Sequence, residues 1–190
     1  MRTKDEFKQD SIIEATIKLV NDIGFVASSV SKIAKEAGVS PATLYIYYKN
    51  KEDLLISTYK NIKRSMSRSI LRNINDNMPI RDTLKQIWEN IFSYVAVHQG
   101  YFQFSEQFAN SPYSELVDQT EMEQCFIPII EVLQKGKEQK IIKNVSFDML
   151  SAFMFFPAMS LANSRLCENF DKNDENIELA FNLAWDAIRY

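Results

Sequence analysis

The chain has 190 residues, of which 46% are hydrophobic and 25% charged, and its formal net charge is −3 at pH 7. This length fits one large or two small domains, and this composition excludes a disordered chain. Only 4 Gly and 5 Pro interrupt a sequence without strand-like alternation, which predicts an all-α protein. The two cysteines, Cys125 and Cys167, have no CxxC spacing or nearby histidine, so they predict reduced thiols and no metal site.

Charge is distributed unevenly along the chain. Residues 1–68 contain 12 Lys and Arg against 8 Asp and Glu, a balance of +4, whereas residues 69–190 contain 10 against 17, a balance of −7. A basic N-terminal part on an acidic body predicts that only this part meets a polyanion. No apolar run is long enough for a signal peptide or a membrane span, so we expect a soluble, cytoplasmic protein without a membrane partner.

The first predicted helix runs from Lys4 to Ile23, with Gly24 as the residue that ends it. Ser28 and Ser29 offer an N-cap for a short second helix, which Gly38 ends. Ser40 and Pro41 then begin a third helix, because Ser is a favoured N-cap and Pro a favoured first residue.

Helix, glycine turn and second short helix over residues 29–48 form the helix-turn-helix pattern, in which the second helix can enter a major groove. Hydroxyl groups and lysines on and after this helix are typical phosphate ligands; they belong to Thr43, Tyr45, Tyr47, Lys49 and Lys51. Leu44 and Tyr48 are expected to pack inward. Positions 41, 42 and 46 remain for base edges.

The rest of the sequence predicts further helices with few interruptions. The predicted ranges are 51–75, 81–98 and 101–108 with a break at Gly100, a long helix ending near 136–139 and interrupted at Pro128, then 147–170 and 173–189.

The run from Ile13 to Leu55 resembles the TetR family of bacterial transcriptional regulators. The matching residues include Gly24-Phe25, Ser28-Ser29-Val30, Ile33-Ala34, Glu36-Ala37-Gly38-Val39-Ser40, Thr43-Leu44-Tyr45 and Tyr47-Tyr48-Lys49-Asn50-Lys51-Glu52. The resemblance implies a homodimeric DNA-binding repressor that a small ligand releases from its operator. By position it implies phosphate contacts at Ser28 or Ser29, Thr43, Tyr47 and Lys51, and groove-facing side chains at Pro41, Ala42, Tyr45 and Ile46.

The sequence departs from the family pattern at the reading positions. Family members often carry polar side chains at the positions of Pro41 and Ile46 and Gly at that of Ala42, and an acidic residue often stands where Lys32 is. The apolar reading positions keep an alternative open, namely a helical ligand-binding or carrier protein with a degenerate DNA-binding part.

Large apolar side chains in the C-terminal part predict two further sites. We expect an effector pocket for a small hydrophobic molecule, lined by Trp88, Phe92, Phe102, Phe108, Met122, Phe126, Phe155 and Met159. The last two helices are apolar on more than one face, which predicts a homodimer interface at Phe153, Leu161, Phe181, Trp185 and Ile188.

These observations combine into one functional prediction. Residues 1–50 are expected to form a three-helix DNA-binding domain, and residues 51–190 a larger helical domain for effector binding and dimerisation. The partners are a double-stranded, pseudo-palindromic operator, a small hydrophobic effector and a second copy of the chain. Phosphate-binding loops, nucleophile motifs and His clusters are all missing from the sequence, so we expect neither an enzyme nor a bound cofactor.

Overall fold

The computed structural model describes residues 4–75 and 77–190. Within these residues the chain forms ten α-helices and one 3₁₀ helix, and the only β pairing is an isolated antiparallel bridge between Ile142 and Arg189. The prediction of an all-α fold is therefore confirmed. The helices are α1 (Lys4–Ala27), α2 (Val30–Glu36), α3 (Pro41–Tyr47), α4 (Lys51–Ile70), α5 (Ile80–Val97), α6 (Gln99–Ala109), the 3₁₀ helix (Pro112–Leu116), α7 (Gln119–Gln124), α8 (Ile127–Glu138), α9 (Phe147–Ala162) and α10 (Asp174–Ile188).

The described residues divide into two units. The first contains the chain up to Lys63 together with Gly100–Asp118, and the second contains Arg64–Gln99 and Gln119–Tyr190. The functional division at residue 50 stays a prediction.

In the first unit, α1 packs against α2, and α2 against α3. The core between these helices consists of almost completely buried side chains, aliphatic except for one tyrosine; its members are Ile12, Ala15, Ile33, Ala34, Leu44, Tyr48 and Leu54. Gly24 interrupts the helical backbone of α1 at φ 77°, where an L side chain would be strained, and one further turn follows it. The predicted end of the first helix is therefore a kink.

An asparagine in α1 connects this helix to α6 within the same unit. Asn21 donates from Nδ2 to the backbone oxygen of Gly100 at 2.9 Å, and its Oδ1 accepts from Gln107 Nε2 at 3.1 Å. The break predicted at Gly100 lies two residues earlier, at His98 between α5 and α6, and Gly100 itself lies in the first turn of α6. A glycine lowers the stability of a helix less near its start than in its interior. The residues on either side of Gly100 therefore still form the helix.

In the second unit, α9 packs against both α5 and α10. The indole of Trp88 is fully buried; it stacks on Phe92 at 5.7 Å between centroids and meets the edge of Phe181 at 6.2 Å. The helix predicted for 147–170 ends at Ala162, because Asn163 leaves the helical conformation and its side chain accepts from the N–H of Arg165. Pro128 begins α8 rather than interrupting a longer helix, as expected for proline in a first turn.

Candidate DNA-binding interface

Two serines begin the helices of the helix-turn-helix. Ser29 Oγ accepts a hydrogen bond from the N–H of Lys32 at 3.3 Å, and Ser40 Oγ accepts from the N–H of Thr43 at 3.0 Å. Between the helices, Gly38 has φ 68°, and the N–H of Val39 donates to the carbonyl of Ala34 at 2.9 Å. These local bonds fix the direction in which α3 leaves α2.

The inward face of α3 anchors the helix to the core. Leu44 is completely buried against α2, where Ile33 and Ala34 are also completely buried, and Tyr48 is 8% exposed. Leu44 and Tyr48 therefore pack inward as predicted. Because they lie four residues apart, the opposite side of this short helix is left free.

The outward face of α3 carries the side chains predicted to face the groove. Pro41 and Ala42 are exposed, Tyr45 is 54% exposed and Ile46 is 77% exposed. Since positions four apart share a helix face, 41 with 45 and 42 with 46 form one continuous strip. The structure thus brings these four side chains together on one surface.

Two hydroxyl groups that were predicted to contact phosphates already have protein partners. The hydroxyl of Thr43 lies 2.9 Å from Ser40 Oγ, and Tyr47 donates to Asp5 Oδ1 at 3.0 Å. Burial and the hydrogen bond to Asp5 raise the pKa of Tyr47. Asp5 was not singled out from the sequence, because only the folded chain brings it to the end of α3.

A reciprocal cap begins α4 directly after α3. The N–H of Asp53 donates to Asn50 Oδ1 at 2.8 Å, and Asp53 Oδ2 accepts from the N–H of Lys49 at 2.9 Å. The pair is related to a capping box, but the carboxylate of Asp53 accepts from Lys49, the residue before the N-cap, instead of from Asn50 itself. The pair leaves the Lys49 side chain exposed at the helix start.

Two lysines bind the C-terminal end of α1. Lys51 Nζ donates to the carbonyl oxygen of Phe25 and, at 3.5 Å, to that of Val26, while Lys32 Nζ donates to Ala27 at 3.1 Å. Positive charge at a helix C-terminus is favourable, which gives Lys32 a reason to occupy a position where an acidic residue is common. Partial burial lowers the pKa of Lys51.

The two candidate serines before α2 have different surroundings. Ser29 is exposed, so it can reach a phosphate, whereas Ser28 is completely buried and donates from Oγ to the carbonyl of Gly24 at 2.6 Å. This differs from the expectation that either serine contacts DNA, because the hydroxyl of Ser28 closes the last turn of α1 instead.

The side chains predicted to line the effector pocket are distributed over both units. Phe102 and Phe108 belong to the first unit, where Phe108 is completely buried and stacks on Tyr59 at 4.4 Å. The others belong to the second unit. Those almost completely buried are Trp88, Phe92, Met122 and Phe155; those partly buried are Phe126 and Met159.

The second unit contains a cavity of about 250 Å³ that the sequence did not point to. It lies between the residues that follow α4, the first turns of α5, and α8. Its lining is mainly aliphatic, with Ile74, Ile80, Ile87 and Val132 among the apolar residues. The polar and charged residues that line it are Asn75, Thr83, Glu131 and Lys135. None of the predicted pocket residues lines it.

The predicted dimer residues also separate into two groups. Phe153 is 56% exposed and Leu161 is partly buried, but Phe181, Trp185 and Ile188 are at most 9% exposed within the single chain. This differs from the prediction for these three, because they face the core of their own unit. The exposed large apolar side chains of α9 and α10 are Phe147, Met149, Phe153, Phe156, Leu179 and Leu183.

Other kinds of site find little support in the described residues. They contain no group of three or more His, Cys, Asp and Glu that would hold a metal ion, and no helix long and apolar enough to cross a membrane. Helix α3 is capped at its start, anchored to the core by its inner face and exposed on its outer face, and Lys49 and Lys51 lie beside it at the start of α4. This arrangement is that of a DNA-binding protein of the helix-turn-helix class.

Comparison with known proteins gives the family. Residues 12–58 match the model of bacterial regulatory proteins of the tetR family, and residues 79–189 match the tetracyclin repressor-like C-terminal domain. The chain therefore belongs to the TetR family and is a DNA-binding transcriptional regulator. Its relatives are transcription regulators rather than enzymes.

Full-length similarity extends to a solved structure and a curated relative. A TetR family transcription regulator from Marinobacter aquaeolei is 37% identical, with a TM-score of 0.91 over 100% of this chain and 99% of that one. An HTH-type transcriptional regulator of Haemophilus influenzae is 23% identical over 95% of both chains. A fatty acid metabolism regulator protein of Bacillus subtilis is 36% identical, but the match spans only 47% of this chain and 46% of that protein.

Proposed function

We propose that this protein is a ligand-responsive repressor that binds a pseudo-palindromic operator as a homodimer and leaves it when a small hydrophobic effector binds. The observation that carries the proposal is the outward face of α3, which is exposed while its inner face is fixed in the core. Thr43, Tyr47, Lys49 and Lys51 adjoin this face and are proposed to contact phosphates together with Ser29.

DNA binding is tested by selecting an operator from random duplexes and measuring its dissociation constant over a salt series. Specific binding should exceed binding to random DNA by at least about 10³-fold, with an affinity that falls as salt rises. Equal affinity for both duplexes, or no binding, would support the carrier alternative and reject the repressor.

The homodimer is proposed from the apolar surfaces of α9 and α10. Met149, Phe153 and Phe156 lie at helical spacing along α9, and Leu179 and Leu183 lie four residues apart on α10. Side chains of this size, each at least half exposed, are costly in water, and a second copy offers the same surface for burial. Two copies would also supply the two recognition helices that a pseudo-palindrome requires.

The dimer is tested by introducing a charge into this surface. Leu183→Glu should give a monomer in sedimentation analysis, since burying a carboxylate in an apolar interface is costly. Leu116→Glu is the matched control, because Leu116 is 57% exposed against 65% for Leu183 but lies in the 3₁₀ helix of the first unit. A dimer that tolerates Leu183→Glu as well as Leu116→Glu rejects this interface.

The effector is proposed to be small and mainly apolar. The cavity of about 250 Å³ is slightly smaller than the roughly 300–1,000 Å³ of most ligand pockets. Its aliphatic side chains favour an apolar body, and Glu131 and Lys135 could each bind one polar group of the ligand. To lower operator affinity about 150-fold, the effector must favour the released state by about 3 kcal/mol.

Effector binding is tested by screening small apolar compounds for release of the protein from its selected operator. Ile74→Trp fills the cavity with a larger side chain and should weaken the response to an active compound. Gln134→Trp adds the same ring at an exposed position of α8 that does not line the cavity, and serves as the control. An equal response from both variants would place the effector elsewhere.

A further inference from the structure

The outward strip of α3 contains almost no polar atoms. Pro41, Ala42 and Ile46 have aliphatic side chains, and the phenol of Tyr45 carries the only side-chain hydroxyl among the four. The nearby hydroxyls of Thr43 and Tyr47 are hydrogen-bonded to Ser40 and Asp5. The surface that this strip would place in the major groove is therefore almost entirely apolar.

This composition limits what the helix can read. Guanine is recognised mainly by bidentate Arg or Lys and adenine by Asn or Gln, and none of these side chains stands on the strip. The thymine C5-methyl is the apolar group that a base pair presents in the major groove. An exposed isoleucine can bury such a methyl against its own surface.

We propose that α3 selects its operator by apolar contact between Ile46 and Tyr45 and the C5-methyl groups of thymine. The inference rests on the proposed operator binding and names the chemistry that it reads. Ile46, 77% exposed, and Tyr45, 54% exposed, are the specificity residues, while the phosphate ligands around them set the position of the helix. The apolar side chains at positions 41, 42 and 46 then indicate recognition through methyl contacts, rather than a DNA-binding part that has lost its specificity.

The methyl group can be removed from DNA without changing any hydrogen-bonding edge. Deoxyuridine keeps the oxygen and nitrogen pattern of thymidine and lacks only the C5-methyl. In an operator selected with the wild-type protein, we replace thymines by deoxyuridine one position at a time. Each contacted methyl should cost about fourfold in affinity, the value of one buried carbon group.

Substitutions at Ile46 test whether the loss of affinity caused by uracil depends on the outward strip of α3. Ile46→Ala should bind thymine and uracil operators with equal affinity at the position that Ile46 contacts, and Ile46→Asn should shift the selected base there towards adenine. Val26→Ala is the matched control, because Val26 is 94% exposed but lies in α1, and it should keep the wild-type sensitivity to uracil. Both substituted side chains, Ile46 and Val26, are exposed, so none of the three variants opens a cavity in the core.

The outcomes separate this inference from the repressor proposal. A selected operator that tolerates uracil at every position overturns methyl reading but leaves specific DNA binding intact. The same holds if Ile46→Ala and Tyr45→Ala both retain the full uracil effect. A protein that selects no sequence at all instead overturns the proposed function on which the inference rests.

Discussion

The ammonium group of Lys51, at the start of α4, donates a hydrogen bond to the backbone carbonyl of Phe25 in the last turn of α1. Two helices that are far apart in sequence are joined by this contact, next to the N-cap of α2. Lys51 therefore has a structural role in addition to the phosphate contact that its position suggests. An ammonium has three donors, so a phosphate can still bind beside the carbonyls.

Replacing Lys51 by Met should affect both stability and DNA binding. Loss of a charge-assisted bond at a helix C-terminus is expected to lower the free energy of unfolding by about 1–2 kcal/mol, measured by urea denaturation. Binding to all sequences should weaken, and the slope of log K against log salt should flatten by about one unit.

Lys49→Met is the matched control for Lys51. Its side chain is exposed, and within the described residues only its backbone N–H is hydrogen-bonded, so stability should stay within about 0.5 kcal/mol of wild type. Equal destabilisation by both variants would contradict the structural role of Lys51. An unchanged salt slope in Lys51→Met would show that its ammonium does not contact phosphate.

The carboxylate of Asp5 is expected to weaken DNA binding. It accepts from Tyr47, a proposed phosphate ligand, so its negative charge would stand beside the backbone of a DNA bound as proposed. Asp5→Asn keeps an acceptor for the tyrosine and removes the charge, and should raise operator affinity about two- to fivefold at low salt. Fluorescence anisotropy at two salt concentrations measures the effect.

The same charge change in the second unit is the control for Asp5. Glu168→Gln alters an exposed side chain after α9 and should leave affinity within error of wild type. A gain that persists at high salt in Asp5→Asn, or an equal gain in Glu168→Gln, would contradict a local electrostatic cause.

Much of the first unit was predictable because its signals are local. Glycines that need positive φ, serine caps and the inward spacing of Leu44 and Tyr48 depend on residues within a few positions of each other. The partners of Tyr47 and Lys51 were not predictable. Asp5 lies 42 residues from Tyr47, and the carbonyl of Phe25 lies 26 residues from Lys51, so only tertiary packing brings them together.

The second unit was predicted less well for a related reason. Large apolar side chains identify burial but not which helix buries them, so Phe181 and Trp185 were expected at a dimer surface and instead pack inside their own unit. The neighbouring residues Leu179 and Leu183 are exposed because they lie on the other side of α10. All four side chains are large and apolar, so the face of α10 on which each one lies decides whether it is buried in the core or exposed at the surface.

Alkaline pH should reveal the burial of Tyr48. Burial, with a smaller effect of Asp53, raises the pKa of Tyr48 to about 12, above the ordinary value of 10.0. The folded state therefore favours the neutral phenol, and its contribution is complete below pH 10 and lost as the pH rises towards 12. The loss from this residue amounts to about 2–3 kcal/mol.

Tyr48→Phe removes this group while keeping the ring. Its unfolding free energy should fall less steeply than that of wild type between about pH 10 and 12. Chemical denaturation at a series of pH values measures the difference, with tyrosinate absorbance as an independent record of ionisation. Parallel curves for the two proteins would show that Tyr48 ionises as easily in the folded state as in the unfolded chain.

Two serines of equal burial should respond in opposite directions when they are replaced by alanine. Ser151, on α9, and Ser67, on α4, are each 7% exposed. Within the described residues, Ser151 Oγ has no hydrogen-bond partner, whereas Ser67 Oγ donates to the carbonyl of Cys125. A buried hydroxyl without a partner retains its desolvation cost, and alanine also has the higher helix propensity.

Ser151→Ala should therefore raise the free energy of unfolding by about 1 kcal/mol, and Ser67→Ala should lower it by about 1 kcal/mol because a buried carbonyl loses its donor. Urea denaturation of both variants under the same conditions gives the comparison. A loss of stability in Ser151→Ala would mean that its hydroxyl has a partner, such as a buried water.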